Sequence, residues 1–135
     1  MAKQKSAAPG QTPISGWLQY VAGYLDGEGS FLYGSSPEVA VTNCFPYTLY
    51  KLQESFGGTV LKREPHPVSN RTIYQWRVYG DHAVDLIKQV RPYLWEKLPQ
   101  ADLVLRIRGL KPGPQRAGLV AQLKKLKKLD YGGMT

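Results

Sequence analysis

The sequence predicts an α+β domain in the order αββαββα: a four-stranded antiparallel sheet with helices on one face, followed by a helical extension. Three observations predict it. Apolar residues recur at helical spacing in segments that precede or follow pairs of short strand-like runs. Each pair is joined by a turn or polar loop, as antiparallel neighbours are. Strands do not alternate singly with helices, as a parallel sheet would require.

In order, Trp17, Leu18, Val21 and Leu25 lie at helical spacing behind Ser15 as N-cap, predicting a helix over 14–26 that glycines 27 and 29 end. "SFLY" reads as a strand, "GSSP" as a tight turn, and "EVAVTNCF" as a second strand in which Val39 and Val41 alternate with Glu38, Ala40 and Thr42. Pro46 suits the first turn of a helix carrying Leu49, Leu52 and Phe56, and "GG" at 57–58 supplies its stop. "TVLKRE" and "TIYQWRVY" are strands three and four around the polar loop "PHPVSNR". In the fourth, Tyr74, Trp76 and Val78 point one way, and Ile73, Gln75, Arg77 and Tyr79 the other. One sheet face is therefore core and the other mixed polar. A helix over 81–90 sets Ala83, Val84, Ile87 and Val90 on one side, and "QADLVLRIRGL" and "QRAGLVAQLKKLKKL" form two more around the breaker "KPGP".

A chain of 135 residues at 42% hydrophobic suits one cored domain. That domain is placed at 14–130, between a disordered basic arm (1–13) and a tail (131–135). The net charge of +8 favours an acidic partner, nucleic acid or an anionic membrane surface. No window holds the roughly 18 uncharged apolar residues of a membrane span, so a soluble or peripheral protein is expected. Cys44 is the single cysteine, which excludes an internal disulfide; with only His66 and His82 besides, no zinc cluster is expected. An intracellular, reducing location fits.

Within the first helix, Gly16, Tyr20, Gly23 and Gly27 fall at intervals of three and four, a seam of mostly small side chains on one face. Each interior glycine costs roughly 1 kcal/mol against alanine, which close approach of another backbone would offset. Asp26 and Glu28 sit at the tip, about 200° apart on an ideal helix.

Residues 21–29, "VAGYLDGEG", resemble the signature of the LAGLIDADG homing endonucleases, with its Ala-Gly pair, two acidic positions and closing glycine. The element order fits that family, and "RPYLWEKLPQADLVLRI" is similar to the stretch that carries a lysine near its active site. The resemblance implies a homodimer packed along the first helix through Gly16, Tyr20, Ala22, Gly23 and Gly27. It implies a divalent cation at Glu28, Mg2+ or another such as Mn2+ or Ca2+, with Ca2+ holding a non-cleaving complex. Lys97 falls where a basic residue polarises metal-bound water, Asn43 near a polar position that orients solvent, and Tyr47 near a basic one. Asp26 is read as a structural acid.

The free sheet face is the expected reader of double-stranded DNA, because a β-ribbon fits the major groove, where arginine reads guanine and glutamine reads adenine. Candidates are Ser30, Lys62 or Arg63, Gln75 and Arg77, with Arg71, Lys124 and Lys125 on phosphate. The activity implied is site-specific cleavage of both strands of a palindromic or nearly palindromic target, by an intron-encoded or free-standing protein. The rival of the same fold is a non-cleaving DNA-binding regulator or an RNA maturase acting on intron RNA. A more distant rival is a small hydrolase using Asp26 and Glu28 as acid and base.

Overall fold

The computed structural model describes residues 16–63 and 71–132. The expected arm, the Ser15 cap and most of the loop "PHPVSNR" lie outside the described residues. The first helix, α1 (Trp17–Glu28), is entered at Gly16 in the left-handed region, with φ 93°. It buries Val21, Ala22 and Leu25. Contrary to expectation, it runs through Gly27 and stops only at Gly29. There the backbone turns extended while its N–H still reaches the Leu25 carbonyl. A Cβ at Gly29 would stand 2.8 Å from Leu25 Cδ2 and 3.0 Å from the Leu25 carbonyl oxygen, so a side chain there would crowd the helix-to-strand junction.

Gly29–Tyr33 forms β1 and Pro37–Asn43 forms β2. After α2 (Tyr47–Phe56), whose Leu49 and Leu52 are buried, come β3 (Thr59–Arg63) and β4 (Ile73–Tyr79). Pro46 is the N-cap of α2, not part of its first turn. The chain then folds α3 (Gly80–Val90), a short 3-10 turn (Arg91–Tyr93), α4 (Leu98–Arg108) and α5 (Pro114–Gly132). Helix α5 therefore continues into the segment read as a tail.

The four strands are antiparallel in the order β1-β2-β4-β3, so the two hairpins meet along β2 and β4. Residues opposite one another across a ladder share a face. Val39 faces Val78 and Val41 faces Trp76, with Phe31 beside Val39. All are buried beneath α1 to α4. The opposite face, as the alternation predicts, carries Ser30, Ala40, Thr42, Gln75 and Arg77. On α3 the buried set is Ala83, Leu86, Ile87 and Val90, with Leu86 in the place expected for Val84. Helix α5 packs on α4, burying Leu123, and Arg116 lies 4.9 Å over the Tyr33 ring while hydrogen-bonding its hydroxyl.

Candidate functional site

The open sheet face holds a shallow depression lined by Glu28, Ser30, Leu32, Ala40, Thr42, Gln75 and Arg77. Ser30, Gln75 and Arg77, all expected DNA readers, are thus brought together with Glu28. Register decides between the two basic residues of β3. Arg63 pairs with Ile73 and Leu61 with Gln75, which puts Arg63 on the open face. Lys62 pairs with Tyr74 and belongs to the helix-bearing face, so of the two alternatives it is Arg63 that the open face carries. The face is already wired: Arg63 donates to Gln75 Oε1 at 3.1 Å, and Gln75 Nε2 donates to Thr42 at 3.3 Å. Arg77 pairs with Glu38 at 2.7 Å. Hydrogen bonding to Tyr79 is the main influence holding the Arg77 guanidinium more firmly protonated than usual; partial burial opposes it and the Glu38 charge adds to it.

Below the rim, the acidic tip divides as the helix angle requires. Asp26 turns into its own chain, where Oδ2 accepts the Trp95 N–H at 2.9 Å and Oδ1 the Lys97 N–H at 3.0 Å. Lys97 is 8% exposed, and its Nζ donates to the Asp26 carbonyl at 2.8 Å and the Leu25 carbonyl at 3.4 Å. The carboxylate stands at the N-terminus of α4 and the ammonium at the C-terminus of α1, so each charge meets the helix end that favours it. Glu28, by contrast, is exposed, and no hydrogen bond or ion pair joins it to another described residue.

The seam is open. A Cβ at Gly23 or Gly27 would meet nothing within 4 Å, so no other part of the described chain packs there. Ala22 does not belong to the seam: it is 0% exposed in the core, one helical step round from it. Tyr20 stacks between Trp17 and Tyr24, with centroids 5.8 and 6.1 Å away, and its hydroxyl lies 3.3 Å from Thr48 Oγ1.

Asn43 does not reach the depression. It lies opposite Tyr74, its Nδ2 donates to the Tyr24 hydroxyl at 3.1 Å, and its Oδ1 accepts from the Phe45 N–H. Asn43 is thereby linked through Tyr24 to the helical turn before Glu28. Burial chiefly raises the Tyr24 pKa; the Asn43 bond opposes this, and the charge of Glu28 adds to it. Sequence reasoning passed over Tyr24, although its four-residue spacing to Glu28 is a readable signal. It also passed over Trp95, a tryptophan set among polar residues in a loop.

Arg71 approaches Cys44 Sγ at 3.7 Å. Lys124 and Lys125 are exposed on α5, in the helical layer and apart from Gln75 and Arg77. Tyr47 is 76% exposed on the first turn of α2. Among the described residues no group of three or more His, Cys, Asp or Glu could hold a metal ion. None of their helices is long and apolar enough to cross a membrane.

A four-stranded antiparallel sheet, helical on one side and open and polar on the other, with an unpaired acid at its rim, defines an α+β domain with one sheet face free. Solved structures specify it further. The homing endonuclease I-CvuI, in complex with its target in the presence of 2 mM Ca, superposes with a TM-score of 0.67 at 23% identity, over 81% of this chain and 80% of that one. The archaeal intron-encoded homing endonuclease I-Vdi141I, complexed with DNA, gives 0.65 at 18% identity, over 81% and 82%. The homing endonuclease I-TnaI gives 0.53 at 21% identity, over 82% and 93%. No protein-family model matches the sequence, and no curated protein does. The chain has the homing-endonuclease fold.

Proposed function

We propose that the protein is a site-specific, metal-dependent DNA endonuclease that acts as a homodimer. One observation carries this reading: the unpaired carboxylate, Glu28, stands where the open sheet face meets a helix seam that nothing else among the described residues covers. A twin helix on that seam would bring two Glu28 carboxylates together about a two-fold axis. Bare, such a pair repels; it becomes favourable around a divalent cation. A single Glu28 is too few protein ligands for a cage, which suits Mg2+, an ion that keeps waters and binds through one or two carboxylates plus phosphate oxygens. When bound, such an ion activates a water and stabilises charge on the leaving oxygen.

This chain's own residues supply the rest. The open face presents Arg77, Gln75, Arg63 and Ser30 to base edges, in the geometry that suits a β-ribbon in the major groove. The +8 charge draws the duplex in. Lys97 steadies the α1 carbonyls that carry Glu28, and Asp26 fixes the loop that carries Lys97. Two of the neighbours in fold support the same reading: I-CvuI is in complex with its target in the presence of Ca, and I-Vdi141I is intron-encoded and complexed with DNA. An intracellular setting with access to DNA fits the free thiol of Cys44.

The test is incubation with a randomised duplex library and Mg2+, comparing wild type with Glu28→Gln. Wild type is expected to cut both strands of a near-palindromic subset, while the variant binds that subset without cutting. Tight binding with no cutting by wild type would overturn the endonuclease reading and leave a non-cleaving regulator or an intron-RNA maturase. A protein that stays monomeric with and without DNA would remove the shared site.

A further inference from the structure

We propose that Thr42 is a positioning residue that fixes which way the Gln75 amide faces, so that Gln75 reads adenine in one orientation; the inference rests on the endonuclease reading above. Both side chains line the depression on the open sheet face. Register puts Thr42 on β2 directly opposite Gln75 on β4, with Leu61 of β3 on the other side. Arg63 lies two residues further along β3.

The chemistry of its two partners settles the amide's direction. A guanidinium only donates, so the atom that Arg63 meets at 3.1 Å is the carbonyl oxygen, Oε1. That leaves Nε2 facing Thr42, whose hydroxyl accepts at 3.3 Å. Turned round, the amide would set its N–H groups against a cation. One bond would let the amide swivel about the Arg63 contact, and the second fixes its plane.

What remains free is what adenine needs. An amide oxygen has two lone pairs and an amide nitrogen two hydrogens. Arg63 and Thr42 take one of each, which leaves one acceptor and one donor side by side. Adenine alone matches both on its major-groove edge, through its N6 donor and N7 acceptor; guanine offers two acceptors, cytosine a donor, and thymine an acceptor and a methyl group. Because Oε1 is held from β3 and Nε2 from β2, the pair is presented in one order, which separates A·T from T·A. Both bonds lie in water in the free protein, and a duplex laid over the face excludes that water and strengthens them. A glutamine already tied also loses less rotamer freedom on binding.

The experiment selects bound duplexes from the randomised library with the full chain as wild type, Gln75→Ala, Thr42→Val and Thr42→Ser, and reads base preference position by position. Gln75→Ala identifies the position that Gln75 reads, where wild type should prefer adenine on one strand. Thr42→Val keeps the β-branched shape that suits a strand and removes the hydroxyl. It should lose roughly 2- to 12-fold of the preference for A·T over T·A at that position, the worth of one neutral hydrogen bond, with other positions and the melting temperature unchanged. Thr42→Ser, which keeps the hydroxyl, should restore the preference. A wild-type profile from Thr42→Val, no altered position in Gln75→Ala, or a preferred base other than adenine where Gln75 reads overturns this proposal alone. Even weakening at every position with a lowered melting temperature in Thr42→Val makes Thr42 a purely structural residue and also overturns it. A wild type that selects no sequence at all overturns both this proposal and the site-specific endonuclease reading.

Discussion

Asp26 and Lys97 hold one another from opposite ends: the Asp26 carboxylate accepts the Lys97 backbone N–H, and the Lys97 ammonium donates to the Asp26 carbonyl. The pair pins the loop before α4 to the C-terminal turn of α1. Asp26→Ala should lose about 1–3 kcal/mol, because two N–H groups lose their acceptor. Lys97→Met should cost a similar amount by stripping two carbonyls of their donor. The double variant should lose less than the sum, since both changes release the same loop. Urea unfolding of the four proteins measures the coupling, and strict additivity would refute the brace.

Gly23→Leu separates fold from assembly. The site is open among the described residues, and glycine is roughly 1 kcal/mol poorer than alanine in a helix, so the folded subunit should be at least as stable as wild type. Under the proposed dimer, sedimentation should nevertheless show monomer for the variant and dimer for wild type. A dimer that survives leucine there would mean that the seam is not the interface.

Tyr24 predicts an alkaline signature. Burial, chiefly, raises its folded-state pKa above the usual value of about 10. The folded state therefore holds the phenol proton more tightly than the unfolded chain does. The associated stability is fully present below about pH 10 and is lost as pH rises through the raised value. Tyr24→Phe should cost about 0.5–1.5 kcal/mol at neutral pH through the Asn43 bond, yet fall less steeply on the alkaline side. Parallel unfolding curves for the two proteins between pH 8 and 11 would contradict this.

Arg77 is already engaged by Glu38, and under the proposed function it would read a base. Arg77→Ala should relax the choice of base at one position of each half-site by about 1–3 kcal/mol, with other positions unchanged. Glu38→Gln should leave the preferred base and alter affinity, because it frees the guanidinium without removing it. Selection from a duplex library with each variant reads both outcomes, and uniform weakening at every position would reduce Arg77 to a phosphate contact.

Gly58 marks a purely structural constraint. Its φ is 91°, and an added Cβ would land on the Arg77 carbonyl. Gly58→Ala should therefore destabilise the protein by about 1–3 kcal/mol or more, by strain and by displacing β4. A melting temperature equal to that of wild type would disprove the close approach.

Local pattern sufficed for much of this protein. The period of two in β4 separates Trp76 and Val78 from Gln75 and Arg77, and those faces are the ones the sheet adopts. The 100° step of a helix was enough to send Asp26 and Glu28 apart. It could not tell what each would meet, since the donors to Asp26 come from positions 69 and 71 residues on. Ala22 belongs to the motif but faces the core, because the apolar stripe of Val21 and Leu25 includes it. Arg63 and Lys62 are indistinguishable in a strand with little alternation; only the ladder to β4 assigns them.

The sequence by itself determined the element order, the two faces of the sheet, the small-residue seam and the basic charge, all of which follow from backbone periodicity and side-chain type. The tertiary structure decided the β1-β2-β4-β3 order, the burial of Lys97 against the α1 carbonyls, the coupling of Asn43 to Tyr24, and the isolation of Glu28 at the rim. The physical reason is range. Periodicity is written in neighbours a few residues apart, whereas a charge finds its partner only after distant segments have packed and water has been excluded between them.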